Sequence, residues 1–368
     1  MKPIFMIGTQ RSGSNLLRLM LNQLPAIAAP HPPHILQRIM PLVPDYGDLA
    51  APENFSRLVD DICRMVELNP VPWEGVTLDR KDVASRCREK SLVAIHGAVY
   101  DIYAEARKAK TWCCKSLANI NFVPQIEAYF DKPQYIYLFR DGRDVAVSFR
   151  KAVVGEKHFY HIAREWGATQ RLALKIGSEI EPSRFLKVRY EDIIGEPEKM
   201  ANMLCDFFGV AYRKSMLEYH QAEEAKRTAS ASELWLNVTR PVMKNNSRKF
   251  LLEAGERDVR IFESVAGDVL DALGYDRVYV RKGEELRFTD AEIADFNAEN
   301  ARLKEELRKL VDPADLMRRD LQAGLLKEIQ ARNAGHRPRV AGDGQLLASK
   351  KEVQDVSGTA NPFKAGQH

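Results

Sequence analysis

Between two apolar runs, Ile4-Phe5-Met6-Ile7 and Leu16-Leu17-Arg18-Leu19-Met20-Leu21, the chain carries Gly8-Thr9-Gln10-Arg11-Ser12-Gly13-Ser14-Asn15. The pattern predicts a strand, a tight glycine turn and the start of a helix. Such a join aims unpaired backbone N–H groups and the positive end of a helix dipole at one point, which makes an anion site. The two glycines have P-loop spacing. Ser14 and Asn15, however, stand where a nucleoside triphosphatase needs its lysine and its Mg²⁺-binding Ser or Thr. The loop is therefore expected to hold a phosphate without a loop lysine or an obligatory metal.

A triphosphate brings several negative charges and usually recruits Mg²⁺. This loop offers one guanidinium, Arg11, with hydroxyls and backbone donors. A sulfuryl group on a single phosphate suits that equipment better. A second motif begins at Tyr135-Ile136-Tyr137-Leu138-Phe139, an aromatic and β-branched run that reads as a buried strand. It runs into Arg140-Asp141-Gly142-Arg143-Asp144-Val145-Ala146-Val147-Ser148-Phe149. Ser148 falls about two helical turns after the strand end, so Arg140 and Ser148 can face one ligand. The competing reading is an ion pair of Arg140 with Asp144 at the helix start. A dinucleotide fold would need a G-x-G-x-x-G turn and an acidic residue about twenty positions on, and neither is in place.

Over roughly residues 3–275 these motifs, in this order, resemble the sulfotransferases that use 3′-phosphoadenosine-5′-phosphosulfate (PAPS). The resemblance implies that Arg11, Ser12, Gly13, Ser14 and Asn15 hold the 5′-phosphosulfate and that Arg140 and Ser148 bind the 3′-phosphate. Phe185-Leu186-Lys187-Val188-Arg189-Tyr190-Glu191-Asp192 resembles the later family strand ending in Tyr-Glu-Asp, which places Tyr190 near the nucleotide. Arg240 to Phe250 resembles the late loop that folds over the nucleotide, with Lys249 and then Arg248 as phosphate contacts. Trp235 either stacks on adenine or acceptor, or anchors this loop. Lys115 closes Thr111-Trp112-Cys113-Cys114-Lys115-Ser116, where the family has a lysine for the charge of the transferring group; the alternative is a surface lysine. Related families place a Glu or His base about twenty residues after the loop arginine. Here Pro30-His31-Pro32-Pro33-His34 occupies that stretch, and sulfotransferases of the tyrosylprotein type have glutamates there. One of His31 and His34 is expected to be the base, the other an acceptor contact or a structural residue.

The implied fold is α/β: a P-loop-like three-layer α/β/α arrangement with a central parallel sheet, plus a C-terminal helical extension. The implied activity is transfer of a sulfuryl group from PAPS to an acceptor hydroxyl, less readily an amine, releasing 3′-phosphoadenosine-5′-phosphate (PAP). Catalysis would rest on a histidine base and on charge stabilisation by Arg11 and Lys115, with no metal required. The rivals are a Mg²⁺-dependent nucleotide kinase or NTPase, and a non-catalytic PAP-binding scaffold assembled through helices near 289–331.

With 368 residues and 45% hydrophobic content the chain can bury one large core. A formal charge of +4 argues against a dedicated nucleic-acid binder. Five cysteines without metal-ligand spacing imply neither a disulfide framework nor a zinc site. No apolar run is long enough to span a membrane and the first strand begins almost at once, so a cytoplasmic enzyme is expected. Further strands are expected at 111–115, 135–139 and 185–190, a short helix over His34 to Met40, helices through 52–110 over the substrate side, and an amphipathic region over 247–275 that stops at Leu273-Gly274-Tyr275. Thr289-Asp290-Ala291-Glu292 reads as a capping box opening a helix to Leu310, followed by a second helix from Pro313 to Ala331. The expected division is a sulfotransferase domain over 1–280, a helical extension over 281–332 that serves dimerisation or covers the acceptor site, and a disordered tail over 333–368.

Overall fold

The structure, a computed structural model, describes residues 1–333; the tail expected over 333–368 lies outside the described residues except for Asn333. Five strands form the sheet: β1 (Ile4–Gly8), β2 (Ile27–Ala28), β3 (Thr111–Cys114), β4 (Gln134–Phe139) and β5 (Phe185–Arg189). Their order is β2-β3-β1-β4-β5. All pairs are parallel, with Ile7 opposite Tyr137 and Gly8 opposite Leu138.

Because side chains alternate across a strand, β1, β3 and β4 feed two separate cores. Phe5, Ile7, Trp112, Cys114, Tyr135 and Tyr137 enter one, and Ile4, Met6, Cys113, Ile136 and Leu138 enter the other. Both faces are buried, which is why these strands read as unbroken apolar runs. The helices, in chain order, are α1 (Ser14–Leu21), α2 (Ile35–Ile39), α3 (Pro52–Glu67), α4 (Arg80–Ser85), α5 (Leu92–Ala106), α6 (Val123–Tyr129), α7 (Gly142–Arg150), α8 (Phe159–Glu179), α9 (Tyr190–Gly195), α10 (Pro197–Phe208), α11 (Glu223–Ala231), α12 (Phe250–Glu253) and α13 (Glu256–Ala272). Helices α3, α5, α8 and α13 supply the first core, and α1, α10 and α11 the second. The result is a three-layer α/β/α molecule.

Two further helices follow, α14 (Asp290–Leu310) and α15 (Pro313–Asn333). Both bonds of the Thr289–Glu292 capping box are formed. Phe296 of α14 packs on Tyr160 and Ile261, and Asn300 Oδ1 accepts from the backbone N–H groups of Lys157 at 2.8 Å and His158 at 3.0 Å. Leu325, Leu326 and Ile329 of α15 join the first core. Helix α15 is tied to α3 by Gln322 Nε2 donating to Met65 O at 2.8 Å and by the Arg332–Asp61 ion pair. It also meets the end of α11 through Ser232 Oγ donating to Asp315 Oδ2 at 2.8 Å.

Several boundaries differ from expectation: the strand expected at 111–115 stops at Cys114, and the last helix runs to Asn333 rather than Ala331. β5 stops at Arg189, and Tyr190 opens α9 rather than ending the strand. The helix expected over His34 to Met40 is the short α2, continued as a 3₁₀ turn over Met40–Tyr46 that holds two prolines, Pro41 and Pro44. The 3₁₀ form suits them because a proline lacks the N–H that a continued α-helix would use.

Candidate active site

Each strand delivers site residues just past its carboxyl end: the 9–13 loop after β1, the His31–His34 segment after β2, Lys115 after β3, Arg140 after β4 and Tyr190 after β5. Open parallel sheets bind ligands at this edge, where successive connections leave a strand to opposite sides. Here that strand is β1, flanked by β3 and β4.

Glycine is required twice in the loop. Gly8 has φ +136°, and a Cβ there would lie 2.1 Å from Leu138 O. Gly13 has φ +86°, and its Cβ would lie 2.3 Å from Cδ2 of Tyr190. The tyrosine ring thus packs on the turn that caps α1. Ser12 is buried, and its Oγ has no hydrogen-bond partner among the described residues.

The two sequence motifs meet at this loop. Arg11 Nε donates to Ser148 Oγ at 2.9 Å. Arg140 Nη1 donates to the Arg11 carbonyl at 3.2 Å, across 129 positions of sequence. Its Nη2 donates to Asn246 O at 2.8 Å, and Cζ sits 4.5 Å from the centre of the Tyr190 ring. Arg140 Nε is buried without a partner among the described residues. The Arg140–Asp144 ion pair is also present, at a loose 3.4 Å, so helix-start pairing and an approach to the loop are one arrangement. The late basic loop is pinned at both ends: Asn246 Nδ2 donates to Tyr190 Oη at 2.6 Å, and the Phe250 N–H donates to Asp144 Oδ1 at 3.0 Å. Arg248, at φ +56° and exposed, and the half-buried Lys249 lie between these anchors.

Lys115 is buried, not a surface residue. Its Nζ donates to Asn15 Oδ1 at 3.0 Å. Burial, with Arg18 and Arg11 as further cationic neighbours, lowers its pKa to about 7. His34 Nδ1 lies 2.9 Å from Ser116 Oγ, next in sequence to Lys115. His31 Nδ1 is 3.4 Å from Asn69 Oδ1, and its ring lies 4.6 Å from that of Trp235. His31 O accepts from Trp73 Nε1 and Asn69 Nδ2, each at 2.8 Å, which fixes the proline-rich segment. Burial first, and then nearby cations, hold both imidazoles well below the ordinary histidine value. Both are neutral at pH 7.

Two functional neighbours escape sequence reasoning. Arg18 is fully buried on α1. Its Nη1 donates to Ala29 O at 3.0 Å and Glu224 Oε1 at 2.8 Å, and its Nη2 to Thr228 Oγ1 at 2.8 Å. It thereby joins the loop helix to the histidine segment and to α11, and a lone arginine inside the apolar Leu16–Leu21 run was its signal. Gln170, in the middle of α8, carries no signal at all, yet its Nε2 donates to Thr9 Oγ1 at 2.6 Å.

The arrangement provides a backbone-lined anion turn, two guanidiniums, a lysine and neutral imidazoles at one sheet edge. The model of the Sulfotransferase family matches residues 3–214. Protein-tyrosine sulfotransferase 2 of Gallus gallus is 22% identical over 280 residues, 74% of this chain and 69% of that protein. Among solved structures, the sulfotransferase domain from the curacin biosynthetic pathway superposes with a TM-score of 0.54 at 22% identity, over 75% of this chain and 98% of that one. The sulfotransferase domain from the Synechococcus PCC 7002 olefin synthase does so with a TM-score of 0.52 at 20% identity, over 74% of this chain and 95% of that one. With more than half of its length matched by the family model, the chain belongs to the sulfotransferase family.

Proposed function

We propose that the protein transfers a sulfuryl group from PAPS to an acceptor hydroxyl, less readily to an amine, and releases PAP. One observation carries this reading: the loop and the second motif are joined through Arg11, Ser148 and Arg140. Beside that junction, Ser12 Oγ and Arg140 Nε are buried donors without partners among the described residues. Buried polar groups are rarely left unpaired, so these two fit an anionic ligand with a phosphate at each end. Bound PAPS would supply the sulfuryl group on a phosphate leaving group.

The chain's own residues then divide the work. Ser12, Gly13, Ser14 and Asn15 hold the 5′ end with Arg11; Arg140 and Ser148 hold the 3′-phosphate, with Tyr190, Arg248 and Lys249 along the nucleotide. Lys115 and Arg11 stabilise the charge that develops on the leaving side. His34 is the stronger candidate base: with its Nδ1–H given to Ser116 Oγ, the neutral ring keeps a lone pair on Nε2 for the acceptor proton. His31, walled by Asn69 and Trp235, shapes the acceptor side. Charge is met by guanidinium and ammonium groups, so the chemistry requires no metal.

Calorimetric titration with PAP in metal-free buffer, against ATP with Mg²⁺, tests the donor. Tight binding of PAP alone is expected; preference for ATP with Mg²⁺ would put the protein among the nucleotide kinases. His34→Ala should keep PAP affinity while lowering transfer from PAPS by about 10²–10⁴-fold. Full transfer activity in that variant would remove His34 as the base.

A further inference from the structure

Beneath the glycine turn runs a hydrogen-bond chain whose residues have no role in the reading above. Tyr137, on β4, donates from Oη to Gln170 Oε1 at 2.5 Å. Gln170 Nε2 in turn donates to Thr9 Oγ1 at 2.6 Å. Tyr137 and Gln170 are fully buried, whereas Thr9, the first residue after β1, is half-buried. The close approach of Gly8 to Leu138 O sets the end of β1 against β4, so Thr9 emerges beside the strand that carries Tyr137.

The direction of this chain has a chemical consequence. An amide nitrogen only donates, so Thr9 Oγ1 must accept from Gln170, and its own proton is then left for another partner. Turning the amide round would make Thr9 the donor to Gln170 and strand the Tyr137 proton in an apolar core, where Oη has no second partner among the described residues. Burial also pushes the Tyr137 phenol up, which keeps it a donor. The orientation that satisfies the core is the one that frees the Thr9 proton.

We infer that Tyr137, Gln170 and Thr9 form a one-way hydrogen-bond chain that presents the Thr9 hydroxyl proton to the 5′-phosphosulfate end of the donor nucleotide. Thr9 is then a donor-binding residue, and Gln170 and Tyr137 are positioning residues that act through it. This rests on the PAPS reading above. It adds a hydroxyl donor at the start of the loop, and it explains a fully buried glutamine in the middle of α8.

The test is PAP affinity by calorimetry for the full chain and four variants, each checked for an unchanged thermal unfolding midpoint. Thr9→Val, close in shape but without the hydroxyl, should bind about tenfold or more weakly, as expected for loss of a hydrogen bond to a charged group. Thr9→Ser should restore binding to within about threefold of wild type, a margin smaller than the loss of one such bond. Gln170→Glu reverses the chain, because a carboxylate can only accept and therefore claims the Thr9 proton. Its affinity should fall at pH 8 and recover relative to wild type as the pH is lowered and the carboxyl takes a proton, a response that a packing defect would not show. Tyr137→Phe should weaken binding less than Thr9→Val. Wild-type affinity in Thr9→Val, or equal losses in Thr9→Ser and Thr9→Val, would overturn the proposal. A wild-type protein that does not bind PAP would overturn the PAPS reading and this inference together.

Discussion

Burial and two arginines lower the Lys115 pKa to about 7 in the folded protein, so an anionic donor bound beside it as proposed should bring a proton with it. At pH 8 the free protein holds Lys115 mostly neutral. A phosphate brought beside Nζ favours the ammonium, so PAP binding at that pH should take up close to one proton, and calorimetric enthalpies should vary with the ionisation enthalpy of the buffer. Affinity should decline from pH 7 to 9, by up to about tenfold per unit. Lys115→Met should abolish both effects, and a buffer-independent wild-type enthalpy would place Lys115 away from the bound anion. At this scale the sequence anticipated the meeting of its two motifs, which the fold joins through Arg11, Arg140 and Ser148. It was silent on Gln170, which becomes informative only once β1, β4 and α8 are packed together.

The elements that hold the site are linked by a residue that looks misplaced. Arg18 lies in an apolar helix, yet its guanidinium ties α1 to Ala29 O, ahead of the histidine segment, and to Glu224 and Thr228 of α11. Helix α11 runs on into the 3₁₀ turn over Glu233–Thr239 that carries Trp235 against His31. Removing one partner of a buried ion pair costs about 3–5 kcal/mol. Glu224 retains some exposure and a second contact with Arg227 at 3.3 Å, so Arg18→Met should cost somewhat less than that range, about 2–3 kcal/mol by urea denaturation. A change below about 0.5 kcal/mol, typical of surface substitutions, would show that α11 docks independently of Arg18. Long periodic elements were legible: α14 begins at its capping box and runs to the expected Leu310. The two-residue β2 was not, because a strand this short, among prolines, has no period to read. Tyr190 belongs to a helix rather than a strand because the chain turns at once after Arg189, a boundary that local propensity does not mark.

Across the whole molecule, burying ionisable groups at the sheet edge and in the cores fixes how stability follows pH. His31 and His34 titrate well below 6.5 when folded, and His96, enclosed by Phe5, Tyr100 and Trp112, at about 3. Below pH 6.5 the unfolded chain therefore binds protons that the folded one refuses, and stability falls as the pH falls. Lys115 extends the same slope upward: between about 7 and its ordinary value of 10.5 the unfolded chain again holds the extra proton, so stability rises with pH through that window. The opposing groups are buried thiols and phenols. Cys63 is raised to about 12, and Cys113, Tyr46, Tyr137 and Tyr275 are raised by burial as well. Their unfolded counterparts ionise first, and stability is lost as the pH climbs past roughly 9. The thermal unfolding midpoint should accordingly rise from pH 5, reach its maximum at about pH 8–9, and decline beyond it. Lys115→Met should flatten the rise above pH 7 and also ease the acid limb, because its charge helps depress His31 and His34, whereas His96→Phe should shallow the acid limb while leaving the rise above pH 7. A wild-type maximum at or below pH 6 would mean that these groups are solvated in the folded protein, and that the site is wetter than its packing implies.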